Sequence, residues 1–468
     1  MQRDTDLTFG EIHGSHDSFV QNIEQIIDTA LVKSEEEAPI RLRFLTRPES
    51  ARVGPENTDP ACYQLTSPHE HKPRMRYISV SYCWNHNQSS EGLTLPDYHI
   101  QVEPGSQRRP ISCPPLVFHR SMRFARWQRC SYVWIDQECI MQTDPTDVER
   151  HLKVMHRVYG QSRWTVAVLA TPISDEYSLE ALLKVTRTPG SPNGRDFEIA
   201  TVVALNLLHT ISKDRWFSRT WAFQEKYCAT SLHLLIPIAG FKITSYFKQH
   251  LLGDEVDSSW DFCLPIKIVR KLLMRLRSGP SAAKIADHWN SKDGLSFRDT
   301  IENLGIWYHN VGQSIVGEGI LDWFENSHLI HGAFAMLEIC DNLVVADRIS
   351  IFGNLCELPY RLLSNRLNDP QYSYSTCLLA LLLANFFPGP QQRAEAIKRY
   401  AWHIRDHTLG STLETELFAQ AIDASDPEHI SDVMQSGKTV GWGRFCAIFF
   451  IGSIVLLQFL TVFNVLLS

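Results

Sequence analysis

The sequence predicts an α/β fold in which a parallel sheet is followed by a mainly α-helical region and a C-terminal transmembrane helix. Between residues 77 and 169, short apolar segments with strand character alternate with segments of helical periodicity, and strands separated by helices form parallel sheets. Beyond residue 240 the apolar residues recur at helical spacing, which predicts helices near residues 263–277, 296–308, 329–340, 375–387 and 391–406. The apolar stretch at residues 445–467 is long enough to cross a bilayer.

Length and composition indicate a folded protein with two or more domains. The chain has 468 residues, of which 44% are apolar, enough for sizeable cores. Its net charge of −7 argues against nucleic acid as a partner, because phosphate recognition needs clustered lysine and arginine. The one basic cluster, Lys267 to Arg277, is interpreted as the solvated face of a helix. The eleven cysteines include no C-x-x-C pair, which is typical of the reducing cytosol.

The sequence of the N-terminal part of the chain predicts one amphipathic helix and two strands. Residues 17–34 place apolar side chains at helical spacing. Residues 40–45 and 62–65 have strand character, and the loop between them is rich in proline, glycine and asparagine.

The predicted sheet and its crossover helices follow in alternation. The strands are predicted at residues 77–82, 132–135, 164–169 and 231–236. The helices are predicted at residues 114–129, 148–159, 178–187 and 197–212, and a further short helix carries Trp221 and Glu225. Asp147 is the expected N-cap of the second of these helices, and Ser218 that of the short one.

Three aromatic-rich segments stand in fixed order along this region: Tyr77 to Trp84, Tyr132 to Gln142, and Arg215 to Glu225. They resemble the SYxWG, WIDxxCINQ and RxWxxQE segments of the fungal heterokaryon incompatibility (HET) domain. The residues that match are Ser81, Tyr82, Trp84, Trp134, Ile135, Asp136, Cys139, Ile140, Gln142, Arg219, Trp221, Gln224 and Glu225. Asn85 and Met141 depart from the pattern, which usually has glycine and asparagine there. The resemblance is strongest over residues 40–236.

The resemblance implies a part in fungal nonself recognition and regulated cell death. The HET domain is thought to be distantly similar to the TIR fold, and many enzymatic TIR domains cleave NAD⁺ with the glutamate of an SxWCxxEL segment. Trp221 and Glu225 have the same spacing. No cofactor is then expected, and NAD would be a substrate. The site residues so implied are Glu225 and Asp136 as catalytic groups, with Ser81, Trp84, Arg219 and Trp221 in substrate binding.

Structural roles for the same residues remain open from the sequence. Arg219 and Glu225 form an ion pair in one alternative, large aromatic residues are commonly core, and Asp136 suits a turn cap. A non-catalytic, self-assembling signalling module is therefore the alternative to an enzyme.

Other kinds of site lack their signatures. The sequence contains no P-loop, no dinucleotide-binding glycine motif after a strand and no G-x-S-x-G. His69 and His71 lack a third ligand at metal spacing, so no metal is expected. Cys139 is expected to be a buried structural thiol.

Residues 445–467 predict a single-pass tail anchor. The stretch holds 23 residues without a charge, sixteen of them Phe, Ile, Leu or Val, and a helix of that length spans about 35 Å. Lys438 and Arg444 precede it, which places the N-terminal bulk of the chain in the cytosol. A buried core helix is the alternative.

The predicted domain organisation has four parts. They are an N-terminal helix and linker at 1–38, a HET domain at 39–240, a helical regulatory region at 241–430 and the anchor at 445–467. The expected partners are the membrane and either a second copy of the chain or another protein.

Overall fold

Contacts divide the chain into two compact units. Residues 37–317 with 339–341 form the first, called the sheet unit below, and residues 1–36, 318–338 and 342–468 form the second, the terminal unit. The computed structural model describes residues 9–33, 40–47, 61–72, 74–85, 95–103, 106–187, 194–253, 259–278, 281–289, 293–308, 340–341, 344–367, 369–386 and 389–394.

The described strands are, in chain order, β1 Leu31–Lys33, β2 Leu45–Thr46, β3 Cys62–Leu65, β4 Ile78–Tyr82, β5 His99–Gln101, β6 Arg108–Pro110, β7 Val133–Trp134, β8 Trp164–Val168, β9 Leu232–Ile238, β10 Leu252–Gly253, β11 Trp260–Pro265 and β12 Tyr360–Leu362.

The described helices are, in chain order, α1 Phe9–His13, α2 His16–Ala30, α3 Pro115–Trp127, α4 Asp136–Cys139, α5 Pro145–Gln161, α6 Glu176–Arg187, α7 Arg195–Ser212, α8 Arg215–Ser218, α9 Thr220–Cys228, α10 Ser245–Lys248, α11 Ile266–Ser278, α12 Ser281–Asp287, α13 Phe297–Tyr308, α14 Asp347–Leu355 and α15 Tyr374–Phe386.

The sheet unit is built on one sheet with the strand order β10-β11-β9-β8-β4-β7-β2-β3-β5-β6. Its four central strands, β7, β4, β8 and β9, are parallel, as the alternation of strands and helices predicted. Antiparallel strands extend it on both sides, with β11 beside β9 and β2 beside β7. The prediction of a parallel sheet is thus correct for the centre, and the sheet as a whole is mixed.

The sheet continues beyond residue 240, where the sequence predicted a mainly helical region. β11 pairs with β9 over six residues, and β10 pairs with β11. The helices α11 and α13 lie close to their predicted positions. The strand was missed because Asp261, an acidic residue, occupies a fully buried position in β11 and interrupts its apolar pattern.

β4 separates an apolar face from a hydroxyl face. All five of its residues are buried, and Ile78, Val80 and Tyr82 belong to the hydrophobic core. The intervening Ser79 and Ser81 point to the other side because side chains alternate along a strand. Ser79 there lies 2.9 to 3.0 Å from the hydroxyls of Thr165 and Ser162. Serine at these positions leaves room for polar groups beneath the sheet, and Ser81 uses that room for the candidate site.

A buried ionic cluster joins α3 to the antiparallel edge of the sheet. Arg120 donates to Asp261 Oδ1 at 2.5 and 2.9 Å, and Arg123 donates to Oδ2 at 2.5 Å. Arg120 also donates to the carbonyls of Leu169 and Leu235, which belong to the β8 and β9 side of the sheet. Burial opposes ionisation of Asp261, but the two guanidinium charges outweigh it and hold its pKa below the usual value. The cluster therefore links one helix to three neighbouring strand segments.

Three local predictions are corrected by the structure. Of the strand predicted at residues 40–45, only Leu45 lies in a strand, which is β2 Leu45–Thr46. Asp144, not Asp147, caps α5 by accepting from the Thr146 amide, because Pro145 begins that helix. Ser218 ends α8 and donates to the Arg215 carbonyl instead of capping α9.

The terminal unit brings together distant parts of the chain. α2, predicted as an amphipathic helix, begins at the side-chain cap of Ser15 and packs against α15. β1 pairs antiparallel with β12. The N-terminal helix is therefore part of the same compact unit as residues near 360 to 386.

The described ranges contain no helix that is both long and apolar enough to cross a membrane. The predicted anchor at residues 445–467 and the predicted helices at 329–340 and 391–406 lie wholly or mostly outside the described residues.

Asp261→Asn should destabilise the sheet unit strongly. The substitution leaves Arg120 and Arg123 buried without their counter-charge, and removing one partner of a buried ion pair costs about 3 to 5 kcal/mol of unfolding free energy. Urea unfolding followed by tryptophan fluorescence measures the loss.

The exposed pair between Arg298 and Glu302, at 2.9 Å, provides the matched control. Its carboxylate is neutralised by Glu302→Gln, and we expect no measurable shift of the urea midpoint because exposed pairs contribute little. Equal effects of the two substitutions would show that the Asp261 cluster does not stabilise the unit.

Candidate functional site

The first group of candidate residues lies at the carboxyl end of β4. Ser81 and Tyr82 are the last buried residues of the strand, and Trp84 follows it with 46% of its surface exposed. β4 lies between β7 and β8 in the sheet. The chain therefore adds β7 on one side of β4 and then β8 on the other side, so the strand order reverses at β4. In open α/β sheets, ligands bind beyond strand ends at such a point.

Asp136 lies at the end of the neighbouring strand and accepts hydrogen bonds from residues at the end of β4. It opens α4 directly after β7. Its Oδ2 accepts from the Trp84 indole N–H at 2.7 Å, and its Oδ1 lies 2.7 Å from the Tyr82 hydroxyl. The amide of Gln137 also donates to Oδ1 at 2.7 Å. Asp136 therefore fixes the exposed Trp84 ring.

Glu225 lies on α9 and is buried against the serine face of β4. Its Oε2 accepts a short hydrogen bond from the Ser81 hydroxyl. The indole N–H of Trp216 is 2.6 Å from the oxygen of that hydroxyl. Because an indole can only donate, Ser81 accepts from Trp216 and directs its own proton to Glu225. The three side chains thus form a relay with a fixed direction.

Asp214 holds the Trp216 end of this relay in place. Its Oδ1 accepts from the Trp216 amide at 2.9 Å and caps α8. Its Oδ2 accepts from the amides of Ala170 and Thr171, at 2.8 and 2.7 Å, just beyond β8. One buried carboxylate thus ties α8 to the end of a central strand.

Arg219 connects α9 to the end of β4. Its guanidinium donates to the carbonyl of Tyr82. The alternative of a direct ion pair with Glu225 does not fit this geometry, although the charge of Arg219 lowers the pKa of Glu225. Arg219 is half-buried, and a guanidinium has five N–H donors, so it retains donors beyond the one that Tyr82 receives.

Both carboxylates of the site hold protons more tightly than usual. Burial raises the pKa of Glu225 to about 7, and the charge of Asp136 adds to this effect, whereas Arg219, Ser81 and Tyr159 oppose it. Burial also raises the pKa of Asp136 against the hydrogen bonds from Tyr82 and Trp84. The two groups are therefore electrostatically coupled, and Glu225 titrates close to neutral pH.

Lys226, the residue after Glu225, fixes the other side of α9. It is 3% exposed, and its ammonium donates to the Trp307 carbonyl at 2.9 Å near the end of α13. Burial lowers its pKa to about 8. A cation at a helix C-terminus is favourable, so Lys226 anchors α9 on α13.

The structure brings together five of the six predicted site residues: Ser81, Trp84, Asp136, Arg219 and Glu225. The sixth, Trp221, packs half-buried against the hydrophobic core. Cys139 is fully buried and accepts from the Ile135 amide at 3.4 Å, and burial raises its pKa to about 12.

The two positions that depart from the HET pattern, Asn85 and Met141, are exposed. His69 and His71 instead contact Arg41 and the Ile40 carbonyl. Within the described ranges there is no group of three or more His, Cys, Asp or Glu suited to a metal ion.

The sequence did not identify Trp216, Asp214 or Tyr159 as parts of the site. Asp214 and Trp216 could have been found from the sequence. An aspartate just ahead of a short helix is a typical N-cap, and its side chain accepts a hydrogen bond from the backbone amide two residues later, here that of Trp216. Tyr159 gave no such signal, since it lies near the C-terminal end of α5 among the buried residues of that helix.

Residues 77–225 match the family model described as heterokaryon incompatibility protein (HET). The match begins one residue before β4 and ends at Glu225, so every residue of the relay and of the Asp136 cluster falls inside it. No curated protein and no solved structure matches the chain. The matched region thus contains the part of the sheet unit that builds the site.

Glu225→Gln should change how stability depends on pH. The pKa of Glu225 rises from 4.5 to about 7 on folding, so the folded protein binds the proton more tightly. This contribution is fully present below about pH 4.5 and is lost as pH rises through about 7. Between about pH 5 and pH 8, wild type should lose on the order of 3 kcal/mol of stability that Glu225→Gln retains.

Urea midpoints at a series of pH values test this expectation. Glu180→Gln makes the same change at an exposed position on α6 and should follow wild type. If Glu225→Gln also followed wild type throughout, the carboxylate of Glu225 would not titrate near neutral pH.

Proposed function

We propose that this protein acts in heterokaryon incompatibility as an effector of nonself recognition and regulated cell death, by hydrolysing NAD with Glu225. The observation that carries the proposal is a buried carboxylate with a pKa of about 7, oriented by Ser81 within a HET-type region. Perturbed carboxylates at the carboxyl ends of parallel strands are typical of functional sites.

The reaction needs little from the protein beyond positioning and charge. The bond between nicotinamide nitrogen and ribose C1′ breaks, its electron pair stays on the nitrogen, and water adds to C1′ with loss of a proton. C1′ passes through an oxocarbenium-like state that a nearby carboxylate stabilises, as in glycoside cleavage. Glu225 is the residue to which we assign this role.

The remaining residues would bind and orient. Trp84, fixed through its indole N–H by Asp136, presents an exposed ring for stacking on a base of NAD. The remaining N–H groups of Arg219 suit a pyrophosphate. Ser81, whose hydroxyl is engaged with Trp216 and Glu225, would position the catalytic carboxylate.

The ionised form of Glu225 is the one that stabilises positive charge, so NAD hydrolysis should increase as pH rises through about 7. Glu225→Gln should abolish hydrolysis at every pH, because it removes the charge with almost no change in volume. Purified full-length protein incubated with NAD, with nicotinamide release measured over a pH series, tests both expectations. Expression in yeast, with viability and total NAD followed together, extends the test to cells.

Glu180→Gln is the matched control and should retain full activity. Cell death with steady NAD, equal in wild type and Glu225→Gln, would contradict NAD cleavage and support the non-catalytic assembly module. Loss of folding in Glu225→Gln, detected by its urea midpoint, would assign a structural role to Glu225.

We also propose that residues 445–467 anchor the protein in a membrane with its N-terminal bulk in the cytosol. The support is the uncharged length of that stretch, which lies outside the described residues. Recruitment to a two-dimensional surface would raise the effective concentration of copies or of a partner protein.

A chain truncated before Phe445 should become soluble and diffusely distributed, while the full chain should resist extraction from membranes by alkaline carbonate. Fractionation of both chains from the same cells measures the difference. Full extraction of the intact chain by carbonate would exclude the anchor.

A further inference from the structure

α11 divides its residues into two opposite faces. Successive residues are about 100° apart around a helix, and the apolar face is buried in the core of the sheet unit through Ile266, Val269, Leu272, Leu273 and Leu276. The opposite face spans about 160° and carries Lys267, Arg270, Lys271, Met274, Arg275 and Arg277. The helix contains five cations and no acidic residue.

The cationic face is open to solvent at its centre. Lys267 and Lys271, one turn apart, are both exposed. Met274, one turn further along, is 57% exposed. Met274 therefore exposes an apolar side chain on the same face of the helix as the two lysines.

The charge of this face contrasts with that of the whole protein. Five positive charges lie on 13 residues in a chain whose net charge is −7. On α13, which packs beside α11, Glu302 is paired with Arg298 at 2.9 Å. Lys267 and Lys271, both exposed, give the outer face a positive charge that attracts an anionic partner.

We propose that the outer face of α11 docks on the anionic headgroups of a lipid bilayer. Basic residues near an anionic leaflet each contribute about 1 kcal/mol to binding. Because the apolar face of α11 is already occupied by the core, the helix would bind by charge, with Met274 as its single apolar contact at the headgroup level. The uncharged segment at 445–467 favours a bilayer over other polyanions, since it would keep the chain beside one. The proposal does not depend on NAD cleavage.

Lysine footprinting of the full chain tests this surface whether or not the tail inserts. The protein is reconstituted with vesicles of phosphatidylcholine alone or of phosphatidylcholine with phosphatidylserine, and amine acylation is read by mass spectrometry. With phosphatidylserine, the reactivity of Lys267 and Lys271 should fall by roughly fivefold and recover at high ionic strength. Lys242, exposed elsewhere on the sheet unit, should react equally with both vesicles.

Two matched variants complete the experiment. Lys271→Glu should remove most of the protection of Lys267 by phosphatidylserine, whereas Lys242→Glu, the same charge change elsewhere, should leave it intact. Equal reactivity of Lys267 in the two kinds of vesicle would overturn the proposal. Protection by added RNA or an acidic polypeptide, without protection by phosphatidylserine, would also overturn it and identify a different class of partner.

Discussion

The hydrogen bond between Ser81 and Glu225 is the interaction around which the sheet unit is organised. A carboxylate buried against a central strand is costly unless polar groups surround it, and the fold supplies them from three directions. Ser81 comes from β4, Trp216 reaches the same hydroxyl from α8, and Arg219 brings a positive charge between α8 and α9. The serine face of β4 makes this possible, because larger side chains there would fill the space that the carboxylate occupies.

The parts that hold these groups are themselves fixed by buried charges. Asp214 ties α8 to the segment after β8, and Lys226 ties α9 to the end of α13. The Arg120 and Asp261 cluster does the same for α3 and the antiparallel edge of the sheet. Each group is costly to bury alone and stabilising only with its partners present. Such contacts restrict the positions of helices more than apolar packing does, because hydrogen bonds require specific distances and angles.

The candidate site and the outer face of α11 differ in the environment of their charged groups, which is mostly buried at the site and mostly exposed on α11. At the site, burial raises the pKa of Glu225 to about 7, and the charge of Asp136 adds to this effect. On α11, Lys267 and Lys271 are exposed to water, which suits reversible attraction to an anionic surface. The raised pKa of Glu225 depends on burial, whereas attraction by the lysines of α11 depends on their exposure.

The sequence by itself determined the central strands, the crossover helices and the order of the three aromatic segments, because alternation and helical periodicity are local patterns. It also singled out Asp136 and Glu225 as candidate site residues, because their segments resemble those of a known family. Only the tertiary structure decided that Ser81 donates to Glu225, 144 residues away, or that Asp261 pairs with Arg120 across 141 residues. Local patterns carry no information about such pairs, because strand register and helix packing bring them together.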